Sequence, residues 1–359
     1  MSAWIVQSDG VSSPEWTSLG RRLRVAYQGE PGAYSESAAI EYFGDDVCAV
    51  PCESFERVFE AVERGGADRA VLPIENSLAG TIHRNYDLLL QHSLQIVGEV
   101  DLRVQHYLLA LEGVTLEDVR VVQSHPMALA QCDKFLTEHD LSREVAADTA
   151  GSARLLRDGG YRDRAAIAGA RAAKIYALQV LAEGIEDEPD NYTRFLVLAT
   201  SRGASPPAGV PAKTSIAFSL QNSPGVLFKA LSVFALRDID LTKIESRHLR
   251  TLRYLQASTP RGDREEWTRP DLGAAEALDA FITCSDGGQH RVGDSSGHWA
   301  VAEGWTEDRK RWDYLFYLDI AASLAEVKTK NALNHLSEIA TFIRVLGSYR
   351  QYASADERD

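Results

Sequence analysis

The sequence is poor in sulfur, in basic residues and in long apolar runs. Its 359 residues include four cysteines and two methionines, and 38 Lys and Arg stand against 52 Asp and Glu, for a net charge of −14. No apolar run approaches the roughly 20 residues that a membrane-spanning helix requires. Nucleic-acid binding needs a basic surface to hold phosphates, and this charge balance disfavours it. We therefore expect neither a membrane nor a nucleic acid as a partner.

The cysteines do not form a metal-binding pattern. Cys48, Cys52, Cys132 and Cys284 include no C-x-x-C pair, and no histidine stands at a zinc-like spacing from them. We expect no metal and interpret the thiols as reduced. The polar residues 1–23 lack the basic start and apolar core of a secretory signal, and they are too short and too acidic for a full organelle transit peptide.

What is present is the composition of a globular protein with two domains. Hydrophobic residues make up 45% of the chain and charged residues 25%, and the length exceeds that of a usual single domain. Within residues 24–200, short apolar strands alternate with amphipathic helices. This alternation predicts an α/β domain with largely parallel sheets, whose ligands bind beyond the carboxyl ends of the strands.

A second domain follows a Pro-, Gly-, Ser- and Ala-rich linker at residues 201–212. Residues 213–350 carry strands and helices in the order βαββαβ, which is the ferredoxin-like unit. Residues 251–311, with three of the six tryptophans, interrupt this order between the second and third strands. A hairpin needs only a few residues there, so this segment is an insertion, either a mobile loop or a small packed appendage. Residues 351–359 form a tail.

Polar clusters stand where strands of the first domain end. The first, YQGEPGAYSESAA at residues 27–39, places Tyr34 and Ser35 at the start of a helix, after a turn of glycines and proline. A helix N-terminus binds anions well, so both residues are candidates for substrate binding. The alternative is a plain turn with a serine cap.

The second cluster is VLPIENSLAGTIHRNYD at residues 71–87. A buried strand runs into Glu75, Asn76 and Ser77, and we expect Thr81 to start the next helix. The alternative is that Asn76 and Ser77 cap the turn, as short polar side chains often do.

Two further clusters follow the same pattern of strand, polar residue and helix start. Ser124 and His125 precede Pro126, which suits the first turn of a helix, and Gln131 lies further along that helix. In DTAGSA at residues 148–153, Thr149 stands between a strand and a helix. The alternative is ordinary capping with a solvent-facing histidine.

The stretch DNYTRFLVLA, at residues 190–199, starts polar and continues as a β-prone apolar run. It places the hydroxyl of Thr193 beside the guanidinium of Arg194, with Phe195 next. A hydroxyl can donate a proton, and a guanidinium holds a carboxylate through paired donors. We expect the mouth of this strand to bind an acid and to handle a proton.

Taken in this order, the clusters resemble the prephenate dehydratase family, and the plant-type arogenate dehydratases in particular. The resemblance covers about residues 24–350 apart from the insertion. Its motifs are VAYQGEPGAYSE, AVLPIENSLAGTIHRNYDLLL, SHPMALAQC, DTAGSA, AAIAGARAAKIY, DNYTRF, KTSIAFSL, LTKIESR, DYLFY and FIRVLGSY. It implies a two-lobed catalytic domain like a type II periplasmic binding protein, with the active site in its cleft, and an ACT domain that binds phenylalanine as effector.

The resemblance also implies a decarboxylating dehydration of arogenate, prephenate or both, without metal or cofactor. Thr193 matches the threonine of the family's TRF motif, which would protonate the leaving hydroxyl, and Arg194 would hold a carboxylate or brace the cleft. The other catalytic candidates are uncharged donors, which bind the substrate without neutralising the carboxylate that leaves: Asn76, Ser77, Ser124 and Gln131. The substrate-binding candidates are Glu75, Thr81, Thr149, Phe195, Tyr34, Ser35 and His125.

Two short motifs of the second domain correspond to the family's effector motifs, G-A-L and E-S-R-P. The matching residues are Gly225, Val226, Leu227, Glu245, Ser246 and Arg247. His248 stands where the family has proline. Because proline rigidifies the chain and histidine does not, we expect a weakened or altered response to phenylalanine.

Two other functions stay open from the sequence. One is a non-catalytic amino-acid sensor on the same fold, which the intact ENS and TRF motifs disfavour. The other is an exported single-domain cyclohexadienyl dehydratase, which the second domain disfavours. From the resemblance we expect arogenate as the preferred substrate, association through the ACT sheets into a homodimer or homotetramer, and a location in the chloroplast stroma, or otherwise in the cytoplasm.

Overall fold

The computed structural model describes residues 21–201, 203–248 and 314–352. Most of the predicted N-terminal tail, the insertion at 251–311 and nearly all of the C-terminal tail lie outside these residues. The chain divides into two compact units. Of the described residues, the first unit contains those up to Asn85 together with Val100–Val197, and the second contains Tyr86–Glu99 together with those from Leu198 onward. No helix of the described part is long and apolar enough to cross a membrane.

Residues 23–103 alternate strands with helices, as predicted. The elements are β1 (Leu23–Gln28), α1 (Tyr34–Phe43), β2 (Val47–Cys52), α2 (Phe55–Glu63), β3 (Arg69–Asn76), β4 (Gly80–Thr81), α3 (His83–Gln91) and β5 (Gln95–Arg103). β1 lies between β2 and β3 and is parallel to both. Helix α2 is amphipathic and buries Val58, Phe59 and Val62.

The elements that follow include the five strands of a second sheet, which lies in the first unit. They are β6 (Tyr107–Ala110), a 3-10 turn (Leu116–Asp118), β7 (Val121–Ser124), α4 (Pro126–Gln131), α5 (Asp133–Glu138), β8 (Ser142–Val145), α6 (Thr149–Gly159), β9 (Arg164–Ala168), α7 (Ala170–Tyr176), β10 (Gln179–Glu183) and β11 (Tyr192–Ala199). The sheet order is β10-β6-β9-β7-β8. β7 is parallel to β8 and β9, whereas β6 and β10 are antiparallel additions. β11 returns to the first sheet, beside β3.

The positions of several helix starts follow from capping side chains. Asp148 accepts a hydrogen bond from the Gly151 N–H at 2.6 Å and starts α6. His125 caps α4 and is followed by Pro126 at the first helical position, which confirms the prediction for that proline.

The expectation that Thr81 starts a helix is wrong. Thr81 lies in β4 and pairs with Glu75 of β3, and α3 begins only at His83. Gly80 has φ +80, a conformation that glycine adopts without a steric penalty, so the chain can reverse here within a few residues. The polar end of β3 is therefore a tight hairpin.

The second unit contains the βαββαβ order that the sequence predicted. Its elements are β12 (Ala212–Leu220), α8 (Val226–Ala235), β13 (Leu241–His248), β14 (Tyr314–Ile320), α9 (Val327–Ile339) and β15 (Ala340–Arg350). The strands lie in the order β13-β14-β12-β15 and pair antiparallel. The helices cover one face of the sheet with an apolar core that includes Phe218, Phe234, Leu318 and Leu336. The predicted mixed α/β and ferredoxin-like classes are confirmed.

The other face of this sheet carries polar side chains among apolar ones, since side chains alternate between the two faces of a strand. Residues 86–99, which belong to the same unit, supply its partners. Lys213 pairs with Glu99 at 2.8 Å and Arg247 pairs with Asp87 at 2.8 Å, and both carboxylates are almost fully buried. Buried ion pairs of this kind fix the geometry of a contact more than they add net stability.

Gly347 is the tightest point of the contact between β15 and β5. It pairs in parallel with Ile96, and a Cβ atom at position 347 would collide with the Ile96 carbonyl group. We expect Gly347→Ala to lower the free energy of unfolding by about 1–3 kcal/mol, as overpacking does. Thermal unfolding measures the effect. The matched control is Gly203→Ala, because no atom lies within 4 Å of a Cβ there; equal midpoints for the two variants would contradict the prediction.

Candidate active site

The end of β3 orients the side chain of Asn76. Its Oδ1 accepts hydrogen bonds from the backbone N–H groups of Leu78 at 3.1 Å and Ala79 at 2.8 Å. An asparagine that holds the turn after it in this way is a recurrent device of tight reversals. Because an amide oxygen can accept and its nitrogen cannot, these two contacts decide which end of the side chain points back toward the turn.

The nitrogen of the same amide reaches β11 and the residues just before it. Asn76 Nδ2 donates to Asn191 Oδ1 at 2.7 Å, to Thr193 Oγ1 at 3.0 Å and to the Tyr192 carbonyl at 3.1 Å. In its contact with Asn76, the Thr193 oxygen is therefore an acceptor. The hydrogen of the Thr193 hydroxyl remains available for donation in another direction.

Ser77 joins the same two segments through its backbone and its hydroxyl. Its N–H donates to the Tyr192 carbonyl at 2.8 Å, its hydroxyl donates to the Asp190 carbonyl at 3.0 Å, and the same oxygen accepts from the Tyr192 N–H at 3.0 Å. The structure thus brings Asn76, Ser77 and Thr193 together, although more than a hundred residues of sequence separate them.

Asn191, which the sequence analysis did not single out, is fully buried beneath this group. Its Oδ1 holds the Asn76 amide, and its carbonyl accepts from the Val104 N–H at 2.7 Å. Within the described residues its Nδ2 has no hydrogen-bond partner. An unpaired buried donor costs roughly 1–3 kcal/mol of stability. Such a cost is typical of a residue whose other contacts fix the geometry of a site.

A second buried group surrounds His106, which the sequence analysis also missed. The Tyr34 hydroxyl lies 2.8 Å from His106 Nδ1 and donates to the Gln105 carbonyl at 2.8 Å. On the other side of the ring, His106 Nε2 lies 2.9 Å from Gln131 Oε1. Burial lowers the pKa of His106, although the contact with Gln131 and the charge of Glu186 act in the opposite direction. Burial also raises the pKa of the Tyr34 phenol well above its usual value.

Asn191 and His106 lie on the two segments that connect the halves of the first unit. The segment before β6 and the segment after β10 bond to each other. Val104 N–H donates to Asn191 O, and Ile185 N–H donates to His106 O at 3.2 Å. The backbone N–H of His106 also donates to the Glu186 carboxylate at 2.9 Å. Asn191 on one connecting segment therefore contacts the side-chain amide of Asn76, and His106 on the other contacts that of Gln131.

The predicted glycine-rich turn before α1 is packed against α7. A Cβ at Gly32 would lie 2.8 Å from Ala172 Cα, and Gly32 has φ +93. The Glu36 carboxylate accepts from the Gly32 N–H at 2.6 Å and from Arg171 at 2.8 Å. A carboxylate of the chain itself thus occupies part of the start of α1, and Ser35 is buried beside it. Substrate binding by Tyr34 and Ser35 stays a prediction.

The remaining candidates lie on strand ends and helix starts of the first unit. Ser124 is fully buried and donates to the Ile167 carbonyl at 2.7 Å, and His125 accepts from the Met127 N–H at 3.2 Å. One of these hydrogen bonds joins β7 to β9 and the other lies at the start of α4, and neither goes to Thr193 or Asn76. Thr149 opens α6, and Glu75 and Thr81 face each other across the β3-β4 hairpin. In β11, Phe195 is buried and Arg194 is half-buried.

Among the described residues, no group of three or more His, Cys, Asp or Glu side chains could hold a metal ion.

Four of the six predicted effector residues, Gly225, Val226, Leu227 and Ser246, line a cavity of about 490 Å³ in the second unit, and Glu245 and Arg247 do not. Gly225, with φ +76, forms the N-terminal cap of α8 at its edge. The cavity is lined by Leu220, Asn222, Ser223, Gly225, Val226, Leu227, Phe228, Ser246, Tyr314 and Phe316. Arg247, next to Ser246, instead pairs with Asp87 on the polar face of the sheet.

The chain is similar to known proteins over most of its length. Residues 25–202 match the family model described as prephenate dehydratase. A chloroplastic protein of Arabidopsis thaliana, named arogenate dehydratase/prephenate dehydratase 2, is 50% identical over 336 residues, which cover 93% of this chain and 74% of that protein.

Two solved structures resemble both units of the chain. One, described as prephenate dehydratase from Arthrobacter aurescens in complex with L-Phe, has a TM-score of 0.69 at 27% identity and covers 93% of this chain and 91% of that one. The other, described as GqqA, a novel type of quorum quenching acylase, has a TM-score of 0.70 at 30% identity and covers 93% of this chain and 99% of that one.

Proposed function

The chain belongs to the prephenate dehydratase family, and from this premise we propose how its first unit removes CO2 and water from a cyclohexadiene substrate. The protein is a carbon–oxygen lyase of phenylalanine biosynthesis, of the arogenate/prephenate dehydratase type. The observation that carries the mechanism is the hydrogen bond from Asn76 Nδ2 to Thr193 Oγ1. The roles of individual residues below are proposals built on that contact.

The substrate carries a carboxylate and a hydroxyl on opposite carbons of its ring. The bond from the ring to the carboxylate breaks, its electron pair enters the ring, and the carbon–oxygen bond to the hydroxyl breaks as that oxygen takes a proton. CO2 and water leave, and the ring becomes aromatic. The enzyme has to hold the substrate, supply one proton and keep solvent out.

Thr193 is the proposed proton donor. As its proton moves to the leaving hydroxyl, negative charge develops on Oγ1, and the N–H of Asn76 already points at that atom. A donor placed in advance stabilises such charge at no cost of reorganisation during the reaction. Thr193 is nearly buried, at 9% exposure, and a water-poor setting strengthens the same interaction.

The substrate carboxylates need donors that do not hold the departing group too tightly. Arg194 supplies a paired set of donors for one carboxylate. Gln131 is uncharged, so it orients the substrate without stabilising the carboxylate that must leave. Ser77, whose hydroxyl donates to the Asp190 carbonyl, acts by holding the hairpin against the start of β11. Glu75 pairs with β4 through its backbone and acts as a brace of the hairpin, since a second negative charge would repel the substrate.

Replacement of Thr193 tests the proton transfer. We expect Thr193→Ala to lower kcat by roughly 10²- to 10⁴-fold, the usual contribution of a positioned acid, and to change KM little. Thr193→Ser keeps the hydroxyl and is expected to retain most of kcat. Steady-state kinetics with both variants, checked for folding by circular dichroism, give the answer. Unchanged turnover in the alanine variant would remove Thr193 from the mechanism.

We propose arogenate as the preferred substrate. The Arabidopsis relative that covers most of this chain carries both substrate names, so family membership leaves the choice between them open. Arogenate carries an ammonium group on its side chain where prephenate carries a keto group. Assays of the purified protein on both substrates are expected to give the higher kcat/KM for arogenate, and a clear preference for prephenate would overturn this choice.

Phenylalanine is the proposed effector of the second unit. We propose that residues 213–350 form an ACT domain, joined by the linker 201–212 to a catalytic domain at residues 24–200. The cavity at the start of α8 supports this, because its apolar lining suits an aromatic ring and Ser246 offers a polar contact. The solved relative from Arthrobacter aurescens is described as a complex with L-Phe.

Gly225 allows a direct test of that cavity. A non-glycine residue at φ +76 is strained by roughly 1–2 kcal/mol, and relief of the strain would shift Val226 and Leu227. We expect Gly225→Ala to weaken phenylalanine binding by about 5- to 10-fold in calorimetric titration. The matched control is Gly209→Ala, at φ +86 in the linker, where a Cβ also meets no neighbour. Equal affinities in the two variants would place the effector elsewhere.

We also propose that the protein is a homo-oligomer and that it lies in the chloroplast. Phe228 of helix α8 and Leu236, the residue that follows this helix, are 77% and 82% exposed. This apolar exposure supports a homodimer or a homotetramer built through the second unit. The Arabidopsis relative is named as chloroplastic, and we assign the chloroplast stroma to this chain on that basis.

A further inference from the structure

The hydrogen bonds around His106 restrict which of its ring nitrogens carries a proton. The Tyr34 hydroxyl has one hydrogen and lies 2.8 Å from two groups, the Gln105 carbonyl and His106 Nδ1. A carbonyl can only accept, so the Tyr34 hydrogen goes to Gln105. Both contacts are then satisfied only if Nδ1 carries a hydrogen and donates it to the Tyr34 oxygen. The opposite assignment would leave two acceptors, Tyr34 Oη and the Gln105 carbonyl, facing each other at close range.

The other ring nitrogen, Nε2, lies 2.9 Å from Gln131 Oε1. With the amide oxygen on this side Nε2 has to donate, and because Nδ1 donates as well, this is the arrangement of the charged ring. When the ring is neutral and Nδ1 holds its hydrogen, Nε2 is an acceptor, and Gln131 has to turn its NH2 group toward the ring. When the ring is charged, Nε2 is a donor, and Gln131 turns its oxygen toward the ring. The two ends of the amide have nearly the same shape, so the same contact serves both states.

We propose that His106 is a positioning residue that decides which end of the Gln131 amide faces away from it, and that this choice favours a substrate with an ammonium group. The proposal rests on the proposed function, in which Gln131 contacts the substrate. With a neutral ring, Gln131 presents its oxygen, which accepts from an ammonium group such as that of arogenate. With a charged ring, it presents two N–H donors, which suit a keto oxygen such as that of prephenate.

The surroundings of the ring favour its neutral form. Burial is the main cause that lowers the pKa of His106. The titratable groups in contact with the ring or acting on its charge are Tyr34 on α1 and Glu186 on the second connecting segment, and Tyr107 on β6 and Cys132 at the end of α4 lie near Tyr34. Burial raises the pKa of both phenols and of the Cys132 thiol, so these groups stay neutral.

The charge that remains beside the ring is that of Glu186. It accepts from the His106 backbone N–H at 2.9 Å, and Arg103 lies 3.9 Å from it. Glu186 acts to raise the pKa of His106, but the effect of burial is larger. Below its pKa the ring charges and the amide turns, so the preference between the two substrates depends on pH.

Nitrogen NMR of the histidine ring tests the first step independently of turnover. In the full-length protein at pH 8, we expect the signals of His106, assigned by their loss in His106→Gln, to show hydrogen on Nδ1 and none on Nε2. Tyr34→Phe removes the acceptor of Nδ1 and is expected to admit the Nε2–H form. A wild-type ring with hydrogen on Nε2 at pH 8 would overturn the proposal.

Kinetics test the second step through the ratio of kcat/KM for arogenate to kcat/KM for prephenate. The ratio cancels pH effects shared by both substrates. As the pH is lowered from 8 through the pKa that the ring NMR signals give, we expect the ratio to fall by about 10-fold in the wild type, the effect of one mismatched hydrogen bond. His106→Gln can still reach Gln131 but cannot titrate, so its ratio is expected to stay constant within about 2-fold. A pH-independent ratio in the wild type, or the same slope in the variant, would overturn the proposal.

His106→Asn supplies the matched second variant. Its shorter amide can replace Nδ1 toward Tyr34 but does not extend to Gln131. We expect it to lose selectivity at pH 8, with the larger change in KM for arogenate, whereas an unchanged selectivity would count against the proposal. A wild-type protein that turns over neither substrate would refute the proposed function, while the ring measurement would still decide the position of the proton.

Discussion

The side-chain amide of Asn76 is the contact on which the catalytic site depends. Its oxygen is fixed by two backbone N–H groups of the turn, so its nitrogen has to face Thr193 and Asn191. A hairpin of a few residues thereby determines the direction in which a threonine on another strand can donate. The direction of the Thr193 hydroxyl is the main requirement for proton transfer, because an alcohol acts as an acid only through a short, well-aimed hydrogen bond.

The segments that connect the halves of the first unit carry part of this arrangement. Asn191 and His106 are buried, and each holds one amide, that of Asn76 or Gln131. Their backbones also bond to the neighbouring segment. Any rotation of one half against the other would therefore change the contacts of both amides. The same two residues therefore lie on the connection between the halves and orient the donors. This double role explains why polar side chains are buried there despite the cost of burial.

Much of this could be predicted from the sequence. The alternation of strands and helices, the βαββαβ order and the position of Pro126 were readable, because they depend on local pattern. The residue types at the ends of β3 and β11 pointed to Asn76, Ser77 and Thr193. Strand β4 was missed because it has only two residues, and the error at Thr81, which lies in β4, has the same cause. Strand β10, at the edge of its sheet, was missed as well.

The residues that sequence reasoning missed depend on long-range contacts. Asn191 stands two positions before Thr193, and that closeness was the available signal; what it holds is more than a hundred positions away. His106 is a single histidine before a short strand, and its role depends on Tyr34 and Gln131, which lie on separate helices. The grouping of residues 86–99 with the second unit is likewise invisible along the chain.

That grouping has a consequence for biosynthesis. Glu99 and Asp87 leave the ribosome long before Lys213 and Arg247, which neutralise them in the finished sheet. Until those strands are made, the two carboxylates must stay hydrated, and the segment that carries them cannot close over its apolar neighbours. The second unit therefore reaches its native state late, through contacts of long sequence separation, which form slowly.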